Sequence, residues 1–383
     1  MRLMFWFSAA VIGYVYAGYP LALLLASRWR ARTQRYEGHR PTVSLVIAAH
    51  NEEAVLREKL DNSLALDYPP DRLQIVVASD GSDDRTNAIA AEYEDRGIVL
   101  HDIRPRGGKT RALNLTIPRT TGEILILSDA NAMYRADAVR HLVRHFADRT
   151  VGAVSGDVRV VDSADTYASS EGLYYRYERY LQQLESRLGS IIGADGGMYA
   201  LRRSAYSAVP NSIVVDDFVI SMNVACAGLR VIYDAEAVAI EHGTGTSREE
   251  FGRKVRIVAG GFQALLSGHG VPGPRDPWLL WSYVSHKVMR WLMPLVLIAV
   301  FVSAAALARE DGIYLAAFIA QAGFYALAAC RWANVPGIKR VPGCAVPYYF
   351  CLVNGAALAG LWRATMRTQS ATWQRTTRLE RTR

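Results

Sequence analysis

Polar residues that can bind a metal ion or a phosphorylated ligand follow three apolar runs of the sequence. In chain order they are Asn51 and Glu52, then Asp80, then Asp129 and Asn131. Asp129 ends a segment that begins with four apolar residues, and hard cations prefer carboxylate and phosphate oxygens. As an alternative, Asn51 and Glu52 could cap a helix. Asp80 could likewise stabilise a turn through a hydrogen bond between its side chain and the neighbouring backbone. Together these residues predict a cleft that holds a divalent metal against a diphosphate.

Lys109 follows two glycines in the segment 106–110 (RGGKT). The spacing lacks the GxxxxGK pattern of a P-loop, which argues against a P-loop nucleoside triphosphatase. Glycines allow close approach of the backbone, and the ammonium group can reach a phosphate or a carboxylate. A solvated lysine in a flexible loop is the alternative.

A further acidic pair follows a glycine-rich segment. Asp195, Gly196 and Gly197 precede Asp216 and Asp217, which come after two valines at a predicted helix start. Helix capping explains one aspartate, whereas two adjacent ones indicate that one acts as a general base.

The segment 248–266 carries Arg253, Lys254 and Arg256. Guanidinium geometry suits a clamp on a diphosphate leaving group, and a basic patch facing solvent or lipid is the alternative. His242 is a possible metal ligand, although a single histidine more often has a structural role.

The elements that must position these side chains belong to an α/β domain. Between residues 41 and 270, short β-branched runs alternate with amphipathic helical stretches, which predicts a mostly parallel sheet flanked by helices. Ligands bind outside the carboxyl ends of the strands in such sheets. We therefore expect the polar residues that follow the three apolar runs to face one cleft.

Four uncharged stretches predict membrane helices. Residues 3–27 form the first, and the others are 291–308, 312–330 and 341–362. Arginines follow the first stretch, which is the reverse of a signal peptide. The segment 276–290 mixes tryptophan and tyrosine with basic residues, which predicts an interfacial helix before the chain turns into the membrane.

The formal net charge of +8 lies at the flanks of these stretches. Residues 28–40 hold five arginines and one glutamate, and residues 363–383 hold six arginines and one glutamate, so the remainder is close to neutral. This distribution argues against a nucleic-acid binder, which needs a basic face on its folded domain. The four cysteines match no metal-ligand spacing and indicate no disulfide framework.

The positive-inside rule places residues 28–40, the following domain and the basic tail in the cytoplasm. Four crossings would leave the tail outside, so we expect residues 345–362, with one proline and two glycines, to be re-entrant or interfacial. The predicted organisation is listed in chain order: an anchor with its basic flank (1–40), a catalytic domain (41–270), an interfacial helix (271–290), membrane helices (291–362) and a basic tail (363–383).

The chain carries seven motifs whose order resembles the family 2 glycosyltransferases, and among them the membrane-embedded synthases of hyaluronan, chitin and poly-N-acetylglucosamine. They are AAHNEE (48–53), SDGSDD (79–84), GGKTRALN (107–114), SDANA (128–132), ADGGMYALRR (194–203), VVDDF (214–218) and RKVRIVAGGFQ (253–263). The resemblance implies a Rossmann-like GT-A fold, a nucleotide-sugar donor, usually a uridine diphosphate sugar, an Mg²⁺ or Mn²⁺ ion, and transfer with inversion.

The resemblance also implies a role for each matched residue. Those that would bind the donor are Asn51, Glu52 and Asp80 at the uracil and ribose, and Lys109 and Arg256 at the diphosphate. Arg253 matches no family residue, and its place at the diphosphate is predicted from its guanidinium group alone. Those implied for the metal, the base and the acceptor side are Asp129 and Asn131, then Asp217, and finally Asp195, Gly196, Gly197 and Asp216.

Four positions depart from the family pattern, and one of them is Asp216, which stands where glutamate is common. Asn131 replaces the second aspartate of the metal-binding DxD, and its amide oxygen coordinates with less charge. Arg253 and Ile257 replace the glutamine and tryptophan of the QxxRW signature, and the missing tryptophan argues against processive extension.

The sequence thus predicts an inner-membrane β-glycosyltransferase with a cytoplasmic catalytic domain. It would extend a polysaccharide, or make a glycolipid precursor, from a nucleotide sugar. A transferase that adds one sugar to a lipid-linked acceptor is the first alternative. A non-catalytic glycan-binding or export component is the second.

Overall fold

The computed structural model describes residues 1–30, 38–161, 167–242, 246–338, 341 and 343–370. Most of the basic flank, residues 371–383 of the basic tail and the side chain of His242 lie outside the described residues. The strands are β1 (Val43–Ala49), β2 (Leu73–Asp80), β3 (Ile98–Ile103), β4 (Ile124–Asp129), β5 (Met133–Tyr134), β6 (Val151–Val161), β7 (Met198–Arg202) and β8 (Arg230–His242).

Thirteen α-helices accompany the strands in the described part of the chain. The first seven are α1 (Arg2–Gly13), α2 (Tyr19–Arg30), α3 (Leu56–Leu64), α4 (Thr86–Ala91), α5 (Lys109–Thr116), α6 (Ala138–Arg144) and α7 (Tyr167–Leu188). The others are α8 (Asp216–Cys226), α9 (Ser247–Ser267), α10 (Pro277–Tyr283), α11 (Met289–Leu307), α12 (Gly312–Trp332) and α13 (Ala345–Thr365). Single π-helical turns join α1 to α2 and α10 to α11.

The eight strands form one sheet in the order β3-β2-β1-β4-β7-β6-β8-β5. The first four strands in this order are parallel, as expected, but β7 is antiparallel to both of its neighbours, and β5 is antiparallel to β8. Because β8 is parallel to β6, six of the eight strands run in one direction, and the sheet is mostly parallel as predicted, with β7 and β5 running against the others. The reversal has a consequence for the cleft, because Ser128 at the end of β4 pairs with Met198 at the start of β7. The segment that precedes Met198 thus lies beside Asp129.

Apolar residues fill both faces of the sheet, as continuous apolar strands predict. Leu45 and Ile47 of β1 pack in a core with α3, α4 and α6, whereas Val46 faces the opposite core, which α5 and α8 cover. That second core continues into α9, α11 and α13. The sheet and the C-terminal apolar helices therefore share one hydrophobic core.

Four helices are long and apolar enough to cross a membrane: Arg2–Arg28, Pro277–Leu307, Gly312–Trp332 and Ala345–Thr365. One N-terminal helix and three C-terminal helices confirm the predicted fold class. The interfacial segment differs from the prediction, because α10, the π-turn and α11 form one helix without a turn near residue 290. At 31 residues this helix is about 46 Å long, well beyond the roughly 30 Å of a hydrocarbon core.

We expected residues 345–362 to be re-entrant or interfacial; the re-entrant form is wrong, because α13 is one continuous helix, and the interfacial alternative stays a prediction. Pro347 lies in its first turn, where the missing N–H has no intrahelical partner to lose. Gly360 lies against α9: a Cβ there would be 2.9 Å from the Val255 carbonyl oxygen and 2.9 Å from the Val258 Cβ. The glycine therefore serves close helix packing and does not mark a break.

Candidate active site

A cavity of about 930 Å³ lies between the carboxyl edge of the sheet and helices α7, α9 and α11. Eleven of the thirteen site residues predicted from the sequence line it. They are Glu52, Lys109, Asp129, Asn131, Asp195, Gly196, Gly197, Asp216, Asp217, Arg253 and Arg256. The structure thus brings together residues that are up to 204 positions apart in the chain.

The two other predicted donor residues hold loops beside the cavity. The Asn51 side-chain oxygen accepts a hydrogen bond from the Asp83 backbone N–H at 2.8 Å. The buried Asp80 carboxylate accepts from the backbone N–H groups of Gly107 and Gly108, at 2.8 and 2.7 Å. In this structure both side chains position the loops that border the cavity, and a direct contact of either with a donor stays a prediction.

Lys109 connects the acidic groups of the cavity. Its Nζ lies 2.7 Å from Asp129 Oδ1 and 3.6 Å from Asp216 Oδ2. Burial by itself lowers the pKa of Lys109, but the two carboxylates raise it above its ordinary value. The lysine therefore stays charged and offsets part of the negative charge on the cavity floor.

Asp216 and Asp217 form the first turn of α8, and their surroundings differ. Asp216 is buried, whereas Asp217 is partly exposed to the cavity. Asp217 Oδ1 accepts a hydrogen bond from the Phe218 backbone N–H at 2.8 Å. Burial raises the pKa of Asp216 to about 6 and raises the pKa of Asp217 as well, although the Lys109 ammonium opposes both shifts. A raised pKa makes the Asp217 carboxylate a stronger base.

The glycine pair before β7 leaves space for two carboxylates. A Cβ on Gly196 would lie 2.7 Å from Asp217 Oδ2, and a Cβ on Gly197 would lie 2.4 Å from Glu241 Oε1. Either contact is too short for a real side chain, so only glycine lets these carboxylates lie against the turn. Asp195 closes the turn by accepting from the Gly197 backbone N–H at 3.1 Å, and burial raises the pKa of Asp195.

Asp129 and Asn131 are the residues that could hold a metal ion. They supply a carboxylate and an amide oxygen at the end of β4, and both line the cavity. Mg²⁺ sites often use one or two carboxylates and take their other ligands from substrate phosphates and water. The two residues therefore fit a metal shared with a diphosphate. Among the described residues, no group of three or more His, Cys, Asp or Glu side chains forms a complete metal site.

Lys59, a buried lysine that was not predicted as a site residue, supports the loop that carries Asn131. Lys59 Nζ donates to the Ala132 carbonyl oxygen at 2.5 Å and lies 3.8 Å from the centroid of the Tyr134 ring. Burial lowers the pKa of Lys59 to about 7. A lysine in an amphipathic helix resembles a solvated one in sequence, so no local signal reveals this contact.

The basic residues of α9 form the opposite wall of the cavity. Arg253 Nε lies 2.8 Å from Glu250 Oε2, and its Nη2 lies 2.7 Å from the Tyr175 hydroxyl. Arg256 and Ile257 line the same wall. Tryptophan is absent from position 257, but Trp291 of α11 reaches the cavity and packs on Phe218 and Phe262.

Residues 44–209 match the family model described as Glycosyl transferase family 2. A β-monoglucosyldiacylglycerol synthase of Synechocystis sp. is 27% identical over 259 residues, which cover 66% of this chain and 52% of that protein. A poly-β-1,6-N-acetyl-D-glucosamine synthase of Staphylococcus aureus is 24% identical over 230 residues, or 58% of this chain and 55% of that protein. The chain thus spans about half the length of the curated relatives it matches.

A solved structure resembles nearly the whole chain. The mannosyltransferase PcManGT from Pyrobaculum calidifontis, in complex with GDP-Man and Mn²⁺, superimposes with a TM-score of 0.71 at 22% identity. The match covers 95% of this chain and 99% of that chain. It confirms the predicted GT-A fold. The family match ends at residue 209, before Asp216 and α9, so the roles of those residues depend on the geometry of the cavity.

Proposed function

On the premise that residues 44–209 form a family 2 glycosyltransferase domain, we propose that this protein transfers a sugar from a nucleotide-sugar donor to an acceptor hydroxyl, with inversion. The observation that carries the proposal is the position of Asp217. Its carboxylate has a raised pKa, is partly exposed, and shares one cavity with Lys109 and Asp129.

The donor diphosphate lies between the sheet edge and α9 in this proposal. Lys109 approaches it from the sheet, and Arg253 and Arg256 approach it from α9. Negative charge develops on the diphosphate as the bond to the sugar breaks, and these cations stabilise that charge. Asp129 and Asn131 would hold a divalent metal, which supplies further charge neutralisation when bound.

Asp217 acts as the general base. It accepts the proton of the acceptor hydroxyl while the oxygen forms a bond to the anomeric carbon. The bond from that carbon to the diphosphate breaks on the opposite face, and the electron pair leaves with the nucleoside diphosphate. Gly196 keeps the carboxylate within the cavity, because any side chain there would displace it.

The membrane arrangement follows from the basic flanks. We propose that the four apolar helices anchor the protein in the inner membrane and that the catalytic domain faces the cytoplasm, where nucleotide sugars are made. The acceptor is then either a growing polysaccharide or a lipid-linked acceptor that reaches the cavity from the membrane.

A screen of nucleotide sugars tests the activity. The purified full chain is incubated with uridine and guanosine diphosphate sugars, a bacterial lipid extract and Mg²⁺ or Mn²⁺, and the released nucleoside diphosphate is measured. We expect release with at least one donor, and a loss of about 10²- to 10⁴-fold in Asp217→Asn at unchanged donor affinity. Wild-type turnover in Asp217→Asn would exclude Asp217 as the base.

The length of the product separates the remaining alternatives. A ladder of products indicates polysaccharide synthesis, and a single mass shift indicates one addition, which the Ile257 replacement favours. Donor binding without any transfer would support the non-catalytic alternative.

A further inference from the structure

The wall of the cavity next to the apolar helices is rich in cations. Five basic side chains carried by α9, the π-turn and α13 line it, and we call them the basic wall. They are Arg253, Lys254, Arg256, Lys287 and Arg363. Three come from α9, Lys287 comes from the long helix Pro277–Leu307, and Arg363 comes from the end of α13.

Carboxylates balance only part of this charge. Arg253 and Lys254 share Glu250, at 2.8 and 3.6 Å. Glu178, a further acidic group at this wall, pairs with His286 and with Arg290. Among the residues that the structure describes, no ion pair is formed by the three other cations, Arg256, Lys287 and Arg363.

The aromatic ring of Tyr174 lies beside two cations of this region, Lys254 and Arg290. Lys254 Nζ lies 5.0 Å from the centroid of the Tyr174 ring, and the Arg290 guanidinium lies 5.6 Å from the same centroid. Glu178 and Glu185 attract Lys287, whereas Arg290 and Lys254 repel it. The cations of this wall still outnumber the carboxylates Glu250, Glu178 and Glu185 that balance them, so the arrangement fits a bound anionic group.

The position of the wall identifies the source of that anion. The donor diphosphate needs only Lys109, Arg253 and Arg256 in the function proposed above. Of the remaining wall cations, Lys254 pairs with Glu250, whereas Lys287 and Arg363 form no ion pair among the described residues. Lys287 and Arg363 lie on helices that are apolar enough to span a membrane. Long basic side chains at such positions reach towards the lipid head groups.

From these observations we infer that the basic wall binds the phosphate of an anionic lipid and that this lipid is the acceptor. A phosphate ester lies against Lys287 and Arg363, and a free hydroxyl of the same head group reaches Asp217. The hydroxyl oxygen forms the bond to the anomeric carbon, Asp217 takes the proton, and the nucleoside diphosphate leaves. This inference depends on the function proposed above only for the transfer step, since binding of the lipid needs no donor.

Lipid binding to the full chain in neutral detergent tests the inference without any nucleotide sugar. The probes are phosphatidylglycerol, which has a phosphate and free hydroxyls, diacylglycerol, which has only the hydroxyl, and soluble glycerol 3-phosphate. Dissociation constants are measured by native mass spectrometry for the wild type, for Lys287→Gln/Arg363→Gln and for the control Arg275→Gln. Arg275 is exposed near the start of the same long helix and does not line the cavity.

We expect phosphatidylglycerol to bind at least about tenfold more tightly than diacylglycerol, and the double variant to lose at least about tenfold, or about 1.4 kcal/mol, because both phosphate contacts are removed. The control should bind like the wild type. Equal binding of the two lipids, or an unaffected double variant, would overturn the inference. Glycerol 3-phosphate binding as tight as that of the lipid would instead assign the wall to a soluble phosphate.

Two further outcomes are distinguishable. If the double variant does not purify as a single species, Arg363→Gln alone, at an exposed position, gives the same comparison. If phosphatidylglycerol binds as expected but no donor supports transfer to it, the lipid site stands and its role as the acceptor fails, whereas the proposed function fails only if the screen of nucleotide sugars also gives no release.

Discussion

Replacing Gly196 by alanine should displace the base without removing it. The new Cβ would lie 2.7 Å from Asp217 Oδ2, whereas ordinary contacts begin at 3.4 Å, so the carboxylate or the turn must move by roughly 0.7 Å. Movement of the side chain also strains the 2.8 Å hydrogen bond from the Phe218 N–H. Because a misplacement of about 1 Å can lower a rate about 10²-fold, we expect kcat to fall by about 10- to 100-fold.

The assay compares kcat, donor affinity and melting temperature for three proteins. Besides the wild type and Gly196→Ala, it includes Gly189→Ala, where the nearest atom to the new Cβ is 3.9 Å away. Gly189 does not line the cavity, so this control adds the same methyl group without touching the base. Donor affinity should change little in Gly196→Ala, since the residues proposed to contact the diphosphate lie on α5 and α9.

A Gly196→Ala protein that turns over like the wild type would show that the position of Asp217 does not limit the chemical step. A large fall in melting temperature together with lost donor binding would point to a collapsed turn. In that case Asp217→Glu, which moves the carboxylate by one methylene and leaves the turn intact, makes the same test of position.

Three further predictions concern charge. Burial raises the pKa of Asp217, and Asp217 must be deprotonated to act as the base. A pH–rate profile should therefore show kcat/KM falling as the pH decreases through a value above the ordinary carboxyl pKa, which is near 4. Lys109→Met removes the ammonium that opposes this shift, so its acid limb should move to higher pH, and an unchanged limb would contradict the role given to Lys109. Lys59 has a folded-state pKa of about 7, against about 10.4 in an unfolded chain, so the folded state binds fewer protons between these values. Thermal unfolding should therefore show wild-type stability rising over this pH range more steeply than that of Lys59→Met.

Local patterns were sufficient for much of the fold and the site. The four apolar helices follow from length and polarity, and strands β1, β2 and β4 follow from short buried runs. The polar residues at the ends of these strands share one edge because parallel strands end on the same side of a sheet. The order of the seven motifs indicated the family, and eleven of the thirteen predicted site residues line one cavity.

The tertiary structure decided the features that depend on contacts between distant segments. The reversal of β7 brings Gly196 to Asp217, and neither residue's neighbours in sequence encode the direction of that strand. Asp80 binds loop amides because the fold places Gly107 and Gly108 beside it. In the sequence alone, Gly360 suggests a helix break, whereas in the structure it allows α9 to pack closely against α13.

The basic wall depends most on the tertiary structure. Lys254, Lys287 and Arg363 come from three helices, and each on its own resembles a solvated or lipid-facing charge. Their common cavity arises because α9, α11 and α13 continue the hydrophobic core of the sheet. The sequence determines which residues are apolar and which have side chains that can bind or react, because these are properties of single side chains and short runs. Packing determines which of them meet, because that depends on the free energy of the whole chain.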